Sequence, residues 1–209
     1  MNSLDRAMQR KQQAERVLTD LQLIQKWRTV GDCFVVGAAA YNLMVAPDID
    51  IETFCDEPNP HIIMIELAML TLNKNVIELK YRDYTSSDFN GHYFKLLYRA
   101  EEVEWIIDMW LFSNSQKGAI SKDLVPFMKN HLTEETRKAI LNIKEAMLHL
   151  PIPYASIFIY QAVLELGIRH VDEFLQWTKH HYTTVPFHWQ TLRLKKFPII
   201  NSMIIGIIR

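Results

Sequence analysis

The strongest candidates for chemistry are acidic side chains that alternate with apolar ones along one short segment. Asp48 and Asp50 stand two residues apart in Pro47-Asp48-Ile49-Asp50-Ile51-Glu52. A period of two is typical of a half-buried strand, and it places both carboxylates on one face. Two carboxylates a few ångströms apart repel each other unless a cation lies between them. Hard oxygen ligands suit Mg²⁺, which also binds substrate phosphates, so we predict that Asp48 and Asp50 bind magnesium.

A third acid, Asp108, lies inside the very hydrophobic segment Val103 to Phe112. A charged residue in such a place needs a partner, because an unpaired buried charge is costly. If this segment is a strand beside the 49–55 strand, Asp108 completes a set of three carboxylates. Three carboxylates and two Mg²⁺ ions are what a two-metal phosphoryl-type transfer requires, since one ion activates the attacking hydroxyl and the other stabilises the leaving group.

A candidate phosphate site precedes the acids. Residues 33–36 are predicted to form a short buried strand that ends at Gly37, and a short helix is predicted over 38–45. Free backbone N–H groups at the start of a helix, reached through a residue without a side chain, can bind phosphate. We therefore predict a phosphate site at Gly37 and Ala38.

The elements that must position these residues follow the apolar periodicity of the chain. The other predicted elements are a helix over 3–28, a helix over 60–73, strands over 76–84, 92–98 and 103–112, and helices over 133–150, 154–167 and 170–182. The first two of these three strands are expected to form a hairpin. Thr133 is the predicted N-cap of its helix, and Arg137, Lys138 and Lys144 are interpreted as a solvated face.

This order predicts three parts of the chain. Residues 1–115 are expected to form an N-terminal helix and a catalytic α/β domain, and residues 116–185 a helical domain. Residues 186–209 form a basic tail to which no structure is assigned, because no acidic residue follows Glu173.

The arrangement of Gly37, Asp48-x-Asp50 and a single Asp108 on a later hydrophobic strand resembles the nucleotidyltransferase fold of the DNA polymerase beta superfamily. The closer resemblance is to the small bacterial aminoglycoside and lincosamide nucleotidyltransferases, in which a compact catalytic domain is followed by a helical bundle. The resemblance implies an α/β (α+β) fold, with a mixed sheet flanked by helices.

The same resemblance implies an activity and a role for each residue. The expected reaction transfers a nucleoside monophosphate from a nucleoside triphosphate to an acceptor hydroxyl, on a small molecule such as an antibiotic or on an unknown acceptor. Asp48 and Asp50 would hold two Mg²⁺ ions, and Asp108 would hold one of them and help to deprotonate the acceptor. Gly37 and Ala38 would present backbone N–H groups to the β- and γ-phosphates, although Ala38 stands where the family has Gly or Ser.

Two other functions remain open at this point. Asp50 with Glu78 and Lys80 would form the metal-binding pattern of a restriction-endonuclease-like nuclease. Alternatively, the same fold would be a non-catalytic binding or regulatory module, for instance a component of a toxin–antitoxin pair.

Composition excludes several other classes of protein. The 209 residues carry a net charge of −1, which does not favour a basic nucleic-acid clamp. The two cysteines are too few for a disulfide scaffold or a structural zinc site. The N-terminal residues lack the apolar segment of a signal peptide, and no apolar run approaches ~18 residues. We therefore expect a cytoplasmic protein with no membrane partner, and the sequence leaves a homodimer open.

Overall fold

The strands of the catalytic part form one mixed sheet. The computed structural model describes residues 1–116, 121–151 and 154–180. The strands are β1 (Asp32–Val36), β2 (Asp48–Cys55), β3 (Val76–Asp83), β4 (His92–Ala100) and β5 (Val103–Ser113). Within the described residues they form a five-stranded sheet in the order β1-β2-β5-β4-β3. All five strands coincide closely with the predicted ones, and β3 and β4 form the predicted hairpin.

The pairing of the strands decides which side chains share a face. β2 is antiparallel to β1 and parallel to β5, whereas β4 is antiparallel to both of its neighbours. One face is apolar, and at its centre Ile49 and Ile51 of β2 are fully buried beside Ile107 and Met109 of β5. Because side chains alternate along a strand, the acids of β2 and β5 lie on the opposite face, which we call the polar face.

The first four helices are α1 (Ser3–Asp20), α2 (Leu23–Arg28), α3 (Gly37–Tyr41) and α4 (Pro60–Met69). The prediction of a single helix over 3–28 is wrong, because Gln22 adopts a left-handed conformation with φ 51° and separates α1 from α2. The helix predicted over 38–45 is shorter for the same reason, since Asn42 has φ 58° and ends α3. Apolar residues of α1, α2 and α4 pack in one core with the apolar face of the sheet.

Contacts divide the chain into two units. One unit is Met8–Lys117, which contains the sheet, and the other consists of Met1–Ala7 together with Gly118–Arg209. The second unit contains α5 (Ser121–His131), α6 (Glu134–Met147), α7 (Ser156–Leu166) and α8 (Val171–Thr178). Thr133 caps α6 as predicted, through a reciprocal capping box with Thr136. The sequence reasoning missed α5, in which Pro126 lies inside the helix.

One prediction about the helical unit needs correction. Lys144 does not belong to a solvated face, because it is only 4% exposed and its ammonium group lies 5.8 Å from the centre of the Tyr160 ring. The basic tail over 186–209 and the end of the helix predicted over 170–182 lie outside the described residues. In the described ranges no helix combines the length and the apolar character needed to cross a membrane.

Candidate active site

The register between β2 and β5 brings two of the three predicted acids side by side. Asp50 is the direct partner of Asp108, and Asp48 is the partner of Ile106. Adjacent strands are ~4.8 Å apart, and partners on parallel strands project from the same face. The polar face therefore carries Asp50 and Asp108 as neighbours, with Asp48 one pleat away on the same strand as Asp50.

Asp108 is a buried carboxylate that receives a hydrogen bond from a neighbouring strand. Its exposed fraction is 3%, and the Tyr93 hydroxyl of β4 donates a hydrogen bond to its Oδ1 atom. The sequence reasoning predicted magnesium as the partner of this acid and did not predict Tyr93. Asp48 and Asp50 are less deeply buried than Asp108.

Gly37 and Asp50 are in close contact, and the contact explains the glycine. Gly37 follows β1 with φ +62°, and Val36, the residue before it, is the register partner of Asp50. A Cβ atom added to Gly37 would overlap the Asp50 carboxylate. The backbone of Gly37 and Ala38 thus begins the first turn of α3, where N–H groups have no partner within the helix. α3 has only five residues, so any phosphate binding there depends on these amides rather than on a long helix dipole.

Basic side chains continue the row of acids across the sheet. Lys95 of β4 is the register partner of Asp108, and Lys80 of β3 is the partner of Lys95. One row across the polar face therefore reads Asp50, Asp108, Lys95, Lys80. None of these lysines takes part in an ion pair within the described residues. The charge of the face changes from negative at β2 and β5 to positive at β4 and β3.

The next row of the same face is aromatic. Trp110 lies two residues beyond Asp108 and is the register partner of both Glu52 and Tyr93. Its ring is 5.3 Å from that of Phe112 with an interplanar angle of 5°, and 5.3 Å from that of Phe89 at 26°. We call the following group the aromatic cluster: Tyr84, Phe89, Tyr93, Trp110 and Phe112.

Gly91 allows the hairpin loop to complete this cluster. A Cβ atom at Gly91 would overlap the Phe112 ring, so only glycine permits this close packing. The Tyr84 amide donates to the Gly91 carbonyl at 2.9 Å, and the Gln116 side chain donates to the Phe89 carbonyl at 3.0 Å. These contacts fix the loop over 84–91 against Trp110.

The carboxylates fit a magnesium site by their chemistry and their register. Asp48, Asp50 and Asp108 supply oxygen ligands on one face, which is the donor set that Mg²⁺ prefers. The described residues nevertheless contain no group of three or more His, Cys, Asp or Glu side chains arranged to hold a metal ion. The argument for a magnesium site therefore rests on the strand register, which places the three acids on one face.

The fold does not bring together the residues of the alternative nuclease site. Glu78 and Lys80 lie on the edge strand β3, and β5 and β4 separate that strand from Asp50. Three strand spacings correspond to ~14 Å, which is too far for a nuclease site built on Asp50, Glu78 and Lys80.

Burial raises the pKa of the Cys33 and Cys55 thiols, which keeps both thiols protonated and poor nucleophiles.

Sequence reasoning missed Tyr93, Lys95 and Trp110. A signal for the first two exists, because residues 92–98 alternate Tyr93 and Lys95 with the buried Phe94 and Leu96. The alternation shows that Tyr93 and Lys95 share a face. It does not show that this face is the one that carries Asp108, which depends on the pairing of β4 with β5.

Comparison with known proteins supports the fold. No family model and no curated protein matches the sequence. The solved structure of CdnC from E. coli MS115-1 with ATP matches with a TM-score of 0.50 and 13% identity, over 83% of this chain and 66% of that one. The poly(A) polymerase complex GLD-2–GLD-3 matches with a TM-score of 0.48 and 14% identity, over 90% of this chain and 67% of that one.

A third match is the Cid1 poly(U) polymerase with Mg and 3'-dATP, with a TM-score of 0.47 and 14% identity over 64% of this chain. The chain spans 40% of the length of that structure. At these identities the likeness concerns the fold alone. The chain has a mixed α/β, nucleotidyltransferase-like fold with a five-stranded mixed sheet flanked by helices, as predicted. The resemblance to antibiotic-modifying enzymes remains a prediction.

Proposed function

We propose that this protein transfers a nucleoside monophosphate from a nucleoside triphosphate to an acceptor hydroxyl, with release of pyrophosphate. The observation that supports the proposal most directly is the register of Asp50 with Asp108 on neighbouring parallel strands, with Asp48 on the same face. The nucleotidyltransferase-like fold adds to it. We assign the reaction to the unit Met8–Lys117, because it contains all of the proposed site residues.

Each proposed residue has a distinct task. Asp48 and Asp50 would hold magnesium with Asp108, and magnesium would supply the positive charge that a polyphosphate needs in order to bind and react. Asp108 would also accept the proton of the acceptor hydroxyl, and the hydrogen bond from Tyr93 holds its Oδ1 atom in place. Gly37 and Ala38 would donate backbone N–H groups to the phosphates, without the side-chain hydroxyl that a serine would add.

Isothermal titration of each nucleoside triphosphate, with and without Mg²⁺, tests this proposal. We expect Mg²⁺-dependent binding by the wild type and its loss in Asp50→Asn, which has nearly the same shape but lacks the charge. Glu57→Gln is the matched control, because Glu57 is an exposed acid that follows β2. Normal binding by Asp50→Asn, or equal losses in the two variants, would contradict the assignment.

One observation favours a non-catalytic binding module as the second candidate. The described side chains do not form a ready metal-ligand group, although the backbone places three acids together. A module of this kind would bind no triphosphate in either the presence or the absence of Mg²⁺. The same titration therefore separates the two candidates.

A further inference from the structure

We propose that the unit Met8–Lys117 binds a free α-amino acid with an apolar side chain, in a cavity between α1 and the apolar face of the sheet. The cavity lies between Arg16 and Asp20 of α1 on one side and Tyr98 of β4 and Trp105 of β5 on the other. This is the face of the sheet opposite to the proposed active site. The inference goes beyond the proposed function and does not depend on it.

The size and the walls of the cavity suit a small ligand. Its volume is about 240 Å³, slightly below the ~300–1,000 Å³ of pockets that hold drug-sized molecules, so one amino acid is a suitable occupant. The sheet side is formed by Tyr98 and Trp105, which are register partners. The helix side is a single face of α1, with the spacing of one helical stripe: Gln13, Arg16, Val17 and Asp20.

The sheet side carries two buried polar groups that lack a partner. Tyr98 is 5% exposed and Trp105 is 2% exposed, and both line the cavity. Within the part of the chain that the structure describes, neither the Tyr98 hydroxyl nor the Trp105 indole N–H makes a hydrogen bond, and neither ring is stacked on another aromatic ring. A buried donor without an acceptor is costly, and an indole N–H can only donate. The ligand must therefore offer an oxygen acceptor to this side.

Charges of both signs lie around the opening of the cavity. Arg16, Asp20 and Glu101, which belongs to the turn between β4 and β5, line the cavity and are exposed. Arg16 and Asp20 are four residues apart on a helix, a spacing that allows an ion pair, but among the described residues none of these three side chains takes part in one. A ligand with both a carboxylate and an ammonium group matches this opening, whereas a simple anion would meet two acids and a simple cation would meet Arg16.

The remaining lining is mostly apolar. Val17, Ala100 and Val103 line the cavity together with the rings of Tyr98 and Trp105. Apolar walls with a few polar groups that fix orientation are typical of small-molecule sites. These walls offer contacts to an aliphatic or aromatic side chain and no charged partner to a polar one.

An α-amino acid with an apolar side chain meets these requirements together. Its carboxylate accepts the Trp105 N–H and pairs with Arg16, and its ammonium group pairs with Asp20 or Glu101. Its side chain occupies the apolar part of the cavity. A neutral molecule of the same size would leave the charges at the opening unmatched.

Isothermal titration of the full chain with leucine and with phenylalanine tests this proposal. Two derivatives of leucine separate its charges: N-acetyl-leucine lacks the ammonium charge, and 3-methylbutylamine lacks the carboxylate. We expect at least one of the two amino acids to bind. Each derivative should bind about tenfold more weakly than leucine or worse, because it loses a hydrogen bond to a charged group.

Two variants test the assigned residues. Arg16→Gln should weaken amino-acid binding about tenfold, because it removes the cation that pairs with the carboxylate. Arg28→Gln is the matched control, since Arg28 is an exposed arginine of the same unit that does not line the cavity. Tyr98→Phe should weaken binding but should not lower the Tm of the ligand-free protein, because the hydroxyl that it removes has no partner to lose.

Three outcomes would each overturn the proposal. They are no binding of either amino acid, equal affinities for leucine and its two derivatives, and equal losses of affinity in Arg16→Gln and Arg28→Gln. None of these measurements uses a nucleotide or Mg²⁺, so this inference and the proposed function fail separately.

Discussion

Replacement of Gly37 by alanine isolates the contact between the glycine and the proposed ligand Asp50. The variant incurs two costs. A residue with a Cβ atom in the left-handed region loses roughly 1–2 kcal/mol relative to its preferred conformation, and Gly37 has φ +62°. The new Cβ atom also overlaps the Asp50 carboxylate, so that side chain must leave its rotamer at a cost of about 0.5–1.5 kcal/mol.

Gly167→Ala provides the matched control, because Gly167 has φ +70° and no heavy atom lies within 4 Å of an added Cβ atom. It incurs only the backbone cost, and both variants lose the same glycine entropy in the unfolded chain. The difference between the two variants is therefore the contact with Asp50, about 0.5–1.5 kcal/mol, or roughly 2–4 °C of Tm for each kcal/mol. Thermal unfolding monitored by circular dichroism measures it.

The second measurement concerns binding. Because Gly37→Ala displaces Asp50, we expect the variant to lose Mg²⁺-dependent triphosphate affinity, whereas Gly167→Ala keeps it. Equal destabilisation of the two variants, together with unchanged triphosphate binding by Gly37→Ala, would refute the argument that Gly37 is a glycine because Asp50 occupies the adjacent space.

Three further predictions concern other contacts. Tyr93→Phe should destabilise the protein by about 1–3 kcal/mol in thermal unfolding and raise the Mg²⁺ concentration needed for triphosphate binding, because buried Asp108 loses the hydrogen bond to its Oδ1 atom. Burial raises the pKa of Glu165. Between the ordinary pKa of glutamate and the raised one, the folded state therefore binds more protons than the unfolded state. The free energy of unfolding then falls as pH rises through that range. Glu165→Gln should remove this fall and raise the Tm at neutral pH. Thr133→Ala should cost about 1 kcal/mol in urea unfolding, since Thr136 loses its capping partner at the start of α6.

Each of these predictions has a control and a contrary outcome. Tyr81→Phe is the control for Tyr93→Phe, because it removes a tyrosine hydroxyl of β3 that contacts His92 and not Asp108. If both variants shifted the Mg²⁺ dependence of triphosphate binding equally, a specific role for Tyr93 would be contradicted. A Tm profile of Glu165→Gln that follows the wild type across acidic pH would show that this carboxyl is hydrated. An unchanged urea midpoint for Thr133→Ala would show that the capping box contributes little to α6.

The strands were predictable because their apolar residues alternate and glycine, proline or polar turns separate them. The adjacency of β2 and β5 was predictable only from chemistry. A carboxylate inside an apolar strand needs a partner, and a metal ion shared with Asp48 and Asp50 would supply one.

The break at Gln22 was not predictable, because it is a single left-handed residue inside a sequence of good helix formers. Asn42 is of a residue type that favours the left-handed region, and the prediction of a helix to residue 45 overlooked that signal. The burial of Lys144 follows the helical spacing of α6, because Lys144 lies four residues after Ile140 and three before Met147, which are both buried. Its charge argued for the opposite face, and the ring of Tyr160 beside the ammonium group could not be foreseen.

The chemistry of the site is set by strand register more than by sequence motif. A motif such as Asp48-x-Asp50 names possible ligands, but it does not say what lies on the far side of Asp108. The order β1-β2-β5-β4-β3 puts Gly37 and its amides at one side of the acids, and Lys95 and Lys80 at the other. A shift of β4 by one residue would turn Tyr93 and Lys95 to the apolar face and bring Phe94 and Leu96 to the acids. Tyr93 contacts both Asp108 and Trp110, so the register of β4 affects the proposed catalytic acid and the aromatic cluster through this one residue.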